Sequence, residues 1–150
     1  MRETITAALK HATKSQDKRR MSTLRLVSAA IKDHDIAART AGKTEATDAE
    51  LLELFAKMIK QREESQKIYA DAGRAELAKQ EGEEIEIIRE FLPKQLSDKE
   101  MEKLVAAAIA DSGAASVKDM GKVMAALKAR YAGQMDFAKA SATVKAKLSS

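Results

Sequence analysis

Pro93 is the only proline in the 150-residue chain, and it stands between two stretches of helical periodicity. Proline has no backbone N–H and biases the residue before it away from helix, so Leu92 is expected to end one helix. Four residues on, Ser97 is followed by Glu100. At that spacing the serine hydroxyl accepts from the Glu100 amide while the Glu100 carboxylate reaches back to the Ser97 amide. A stop, a short connection and a capped restart predict two domains, residues 1–92 and 97–150, joined by a linker at 93–96.

Both parts read as helical. With 6 Gly and 1 Pro the chain lacks the turn residues that hairpins need, and its abundant Ala, Leu, Lys, Glu and Met favour helix. The expected class is all-α. Ile5, Ala8, Leu9 and Ala12 mark a short first helix, and Asp17 is placed to cap a second one carrying Met21, Leu24, Val27, Ile31 and Ala38. Gly42 is the expected breaker after it. Thr47 and Glu50 repeat the capping-box spacing and open a third helix, with Leu51, Leu52, Phe55, Met58, Ile59 and Tyr69 on its apolar stripe. Glu53 to Lys57 and Glu63 to Lys67 have the favourable i,i+4 order for ion pairs. After Gly73 a fourth helix is expected from about Arg74 to Leu92, turning Leu77, Ile85, Ile88, Phe91 and Leu92 inward. The N-terminal domain is therefore read as four helices, two long antiparallel ones flanked by shorter ones.

The remainder predicts three helices. Met101, Leu104, Val105, Ala108 and Ile109 form one stripe, closed at Ser112-Gly113. Ser116 and Asp119 cap a second helix bearing Met120, Val123, Met124, Leu127 and Tyr131, which ends at Gly133. Asp136 caps the last, with Phe137, Ser141, Val144 and Leu148.

Charge is unevenly placed. Residues 1–92 carry 17 Lys+Arg and 17 Asp+Glu, whereas residues 93–150 carry 10 and 6, the whole of the net charge of +4. Within 116–150 the balance is 7 basic against 2 acidic. A basic end on a neutral body suits a polyanion, and a solubilising lysine surface is the plain alternative.

Several chemistries lack their residues. There is no cysteine, hence no disulfide, thiolate metal site or cysteine nucleophile. No HExxH, phosphate loop, nucleophile elbow or dinucleotide fingerprint occurs, so no catalytic, cofactor-binding or metal-binding residue is assigned. Asp33-His34-Asp35 point three ways on a helix and read as a solvated face. The run Glu81-Gly-Glu-Glu-Ile-Glu86 is likewise read as staying in water. Tyr69 and Tyr131 fall on apolar stripes and are read as core rather than as stacking platforms. With 5 aromatics in the chain, a nucleic-acid partner is expected to be gripped through its phosphates and shape instead of by base stacking. No run reaches the roughly 18 apolar residues of a membrane span, and the first 20 residues lack a signal-peptide core, so a soluble cytoplasmic protein without membrane contact is expected.

Five segments together carry a resemblance. Phe91-Leu-Pro-Lys-Gln-Leu-Ser97, Asp119-Met-Gly-Lys-Val-Met124 and Tyr131-Ala-Gly-Gln-Met-Asp-Phe-Ala-Lys-Ala-Ser141 resemble successive signatures of the GatB/YqeY family. Lys18-Arg-Arg-Met-Ser-Thr-Leu-Arg-Leu26 and Gln61-Arg-Glu-Glu-Ser-Gln-Lys-Ile-Tyr-Ala-Asp-Ala-Gly-Arg74 resemble its stand-alone YqeY members. The resemblance implies that residues 97–150 are similar to the C-terminal tail of the B subunit of glutamine-dependent aminoacyl-tRNA amidotransferase, a tail that helps hold the tRNA. The carbon–nitrogen ligase activity, with glutamine as amide donor, belongs to a catalytic cradle that has no counterpart in this chain. Where such tails often carry a basic residue after the glycine of the Gly133 turn, this chain has Gln134.

The resulting expectation is a non-catalytic protein that binds tRNA or associates with the amidotransferase or other translation proteins. A helical protein–protein adaptor without RNA binding is the alternative. On a helix from Val117 to Tyr131, Lys118 and Lys122 lie one turn apart and away from the apolar stripe. On the last helix Lys139 points outward and Lys145 lies at the flank. Lys118, Lys122, Lys139 and Lys145 are the expected tRNA contacts, and Lys18, Arg19 and Arg20 the next candidates.

Overall fold

A computed structural model describes residues 1–149. It holds seven α-helices and one 3₁₀ turn, with no strand among the described residues. The chain separates into two compact units, Met1–Leu92 and Pro93 onward, each with its own core.

The first unit contains α1 (Arg2–Ser15), α2 (Lys18–Thr40), α3 (Asp48–Asp71) and α4 (Ala75–Arg89). A left-handed Gln16 ends α1, and Asp17 at once caps α2 by accepting from the Arg20 amide at 3.1 Å. At the start of α3 only half of the expected capping box forms. Thr47 Oγ1 accepts from the Glu50 amide at 3.2 Å, while the Glu50 carboxylate takes the Lys43 ammonium at 2.9 Å. Gly73, at φ 74°, makes the tight turn into α4. Both long helices are present, but they are not each other's main partners. α3 packs chiefly on α4, and α2 on α1 and α4. Ile5, Val27, Ile31, Leu51, Phe55 and Ile88 form the centre of this core.

Helix α4 departs from expectation at both ends. It stops at Arg89 and continues as a tightened turn, with the Phe91 amide on the Ile88 carbonyl and the Leu92 amide on the Arg89 carbonyl, each at 3.1 Å. The proline ring clashes with the carbonyl four residues before it, and for Pro93 that residue is Arg89. At the other end Leu77 is exposed and Ala78 is buried in its place. Phe91 and Leu92 still pack on the core from the turn.

The second unit contains α5 (Asp98–Ser112), the 3₁₀ turn Val117–Asp119, α6 (Met120–Tyr131) and α7 (Phe137–Ser149), and all three helices pack on one another. Both capping-box bonds of Ser97 and Glu100 form, at 3.2 and 3.4 Å. Val105, Val123, Leu127, Ala140 and Val144 are fully buried. Residues 93–96 belong to this unit rather than forming a free link. The Leu96 amide donates to the Gln134 carbonyl at 2.8 Å, and the Gln95 side chain donates to the Gly133 carbonyl at 2.6 Å. The turn at Gly133 (φ 75°) thus presents its carbonyls to the segment after Pro93. No described helix is long and apolar enough to cross a membrane.

Candidate nucleic-acid interface

The four lysines singled out in the sequence all lie on the surface of the second unit. Lys118 stands in the 3₁₀ turn, not on α6, so the even helical spacing assumed between Lys118 and Lys122 does not apply. Lys122, on the first turn of α6, donates to the Ser112 carbonyl at 3.0 Å. That carbonyl is at the C-terminal end of α5, where the helix dipole favours a cation. Lys139 and Lys145 lie on α7, which packs against α6. Lys139 stands 3.9 Å from Asp98, a separation between two exposed side chains that contributes little.

The acidic residues of this stretch are turned to the backbone. Asp119 accepts from the amides of Ala115 (3.0 Å) and Ser116 (3.3 Å), and these two bonds hold its carboxyl below its ordinary value. Asp136 accepts from the Ala138 amide at 2.9 Å, capping α7. The two carboxylates of residues 116–150 therefore sit at helix starts, while the four lysines are exposed, Lys122 by the C-terminal end of α5 and Lys139 by Asp98 at its start.

Between α5 and α6 runs a groove of about 240 Å³. Its floor is Leu104, Ala107, Ala108, Ala126 and Leu127. Asp111, Ser112 and Lys122 edge one end, and Arg130 and Tyr131 the other. Sequence reading missed this feature. Short alanines on two facing helices leave space, and the runs Ala106-Ala-Ala108 and Ala125-Ala126 are its trace, but only packing shows that they face each other. Tyr131, expected as core, is half-buried: it packs against the core cluster and also walls the groove.

In the first unit the basic residues 18–20 are largely paired. Arg19 reaches Glu83 at 3.1 Å and Arg20 pairs with Glu90, leaving Lys18 exposed. Asp35, read as solvated, is instead a latch. It accepts from Arg2 at 2.5 Å and from the Ala46 amide at 2.9 Å, and its carboxyl is held below its ordinary value by those two bonds in that order. The acidic run also departs from expectation. Glu84 is buried against Arg62 at 3.1 Å, and Glu81 beside it is pushed up by burial and then by the Glu84 charge. Glu63 turns to Arg89 across the α3–α4 contact, at 3.5 Å, rather than along its own helix.

No curated protein matches the chain closely enough to count as a relative. The family model described as Yqey-like protein matches residues 2–148, and the chain belongs to that family over nearly its whole length.

Proposed function

We propose that the protein binds tRNA without catalysing a reaction on it, gripping phosphates through its second unit. In this reading it works beside the tRNA amidotransferase or other translation proteins. The observation that carries the reading is the exposed charge of the second unit. Lys118, Lys122, Lys139 and Lys145 are exposed there, while Asp119 and Asp136 are turned onto backbone amides. The resemblance of this unit to a tRNA-holding tail supports the same assignment. Pairing of Arg19 and Arg20 within the first unit makes residues 18–20 the weaker alternative.

Titration of labelled tRNA at two salt concentrations tests the reading. Each phosphate neutralised by a lysine contributes about 0.7–0.9 to the log-affinity against log-salt slope, so binding falls steeply as salt rises. Salt-independent binding, or none, sinks the assignment. Glutamine-dependent amidation of charged tRNA by the purified chain with ATP and magnesium would overturn the non-catalytic part.

A second reading, a protein–protein adaptor, is favoured by one observation. Ile68 and Leu77, near the turn between α3 and α4, are 65% and 36% exposed. Replacing both by Ser would then abolish partner capture and leave tRNA affinity unchanged.

A further inference from the structure

We infer that the groove between α5 and α6 holds one unpaired nucleobase of the bound RNA. This rests on the RNA-binding reading above and adds to it a contact that is not electrostatic. At about 240 Å³ the groove is smaller than the roughly 300–1,000 Å³ of pockets for drug-sized ligands, so it suits one ring system rather than a whole cofactor. Ala107 and Ala126 keep its floor shallow and apolar, which favours a flat ring and repels a hydrated phosphate. The rim supplies what the rest of a nucleotide needs. Lys122 and Arg130 lie eight residues apart on α6, about 12 Å along the helix, and offer cations to the flanking phosphates.

Recognition of single-stranded RNA uses aromatic rings or arginine planes for stacking and polar groups for base edges. Tyr131 and Arg130 are of the first kind, at one end of the groove. Asp111 is of the second kind, at the other end, and its carboxylate accepts from an exocyclic amine; adenine, guanine and cytosine have one and uracil does not. A base paired within a duplex has its ring faces stacked on its neighbours and its pairing edge taken, and so cannot enter such a groove. The charge complementarity of the rim to phosphate distinguishes this occupant from an apolar partner helix.

The test uses the full chain, a single-stranded RNA carrying 2-aminopurine, and the same sequence as a duplex. Ala107 is exposed on α5, so Ala107→Leu fills the groove without disturbing the core. We expect the wild type to prefer the single strand, and Ala107→Leu to lose about fivefold or more on the strand and nothing on the duplex, consistent with the loss of one base stack. Fluorescence of 2-aminopurine should fall on binding and stay high with Tyr131→Leu, which keeps an apolar side chain but no π face. Equal wild-type affinity for strand and duplex, or an Ala107→Leu variant that binds the strand as well as wild type, overturns the groove while leaving phosphate binding intact. Wild type that binds neither RNA in a salt-dependent way removes the RNA reading itself, and the base with it.

Discussion

The buried pair Arg62–Glu84 gives the sharpest energetic test of the first unit. The two side chains are 15% and 10% exposed, and Arg62 Nε lies 3.1 Å from Glu84 Oε2 between α3 and α4. Arg62 also donates to the Met58 carbonyl at 3.2 Å. Removing one partner of a buried pair costs about 3–5 kcal/mol, because a charge is left without its counter-ion. Arg62 retains the Met58 carbonyl and some solvent, so Glu84→Leu should cost less, about 2–4 kcal/mol. The double variant Arg62→Met, Glu84→Leu removes both charges and should recover to within about 1 kcal/mol of wild type. Tyr69 and Tyr131 are the only tyrosines and there is no tryptophan, so Tyr131→Phe leaves Tyr69 on α3 as the reporter. Followed by its fluorescence in urea, the single variant should shift the midpoint down by about 1–2 M with unchanged slope. A loss below about 1 kcal/mol, or a double variant no more stable than the sum of its singles, refutes the reasoning.

Four further outcomes are expected. Ser97→Ala removes the acceptor for the Glu100 amide and should cost about 0.5–2 kcal/mol in the second unit, read from Tyr131 in a Tyr69→Phe background. If the two units are separate domains, as we propose, those two tyrosine reporters should give non-coincident urea transitions; a single shared transition counts against it. Because Asp35 has a lowered folded pKa, its stabilisation is complete above the ordinary aspartate value of about 3.9 and is lost as pH falls below it. Asp35→Asn should therefore be less stable near neutrality and show a shallower acid limb in pH-dependent melting. Replacing Lys118, Lys122 and Lys139 together by Ala should flatten the salt slope for tRNA by about 0.7–0.9 per lost phosphate contact, with folding changed by about 0.5 kcal/mol at most at Lys118 and Lys139 and by up to about 1 kcal/mol at Lys122, which holds the C-terminal end of α5; unchanged affinity and slope place the RNA elsewhere.

Local chemistry accounts for most of what the sequence alone determined. The all-α class follows from composition, and helix starts at Asp17, Thr47 and Ser97 follow from side chains that cap over three residues. Breaks at Gly42, Gly73, Gly113 and Gly133 follow from positive φ, and the apolar stripes from the 3.6-residue period. Every one of these depends on residues within a turn or two of each other. What depended on partners distant in sequence was decided only by tertiary structure. Glu84 belongs to a run of carboxylates that reads as solvated, yet Arg62, 22 residues away, draws it into a buried pair. Asp35 becomes a latch only because Arg2 and Ala46 meet it. Glu50 completes no box because Lys43 takes its carboxylate. The groove requires the alanines of α5 to face those of α6, and no periodicity within one helix states which faces meet. Capping and period are written within a few residues, whereas desolvation and ion pairing are set by whichever helix packs alongside.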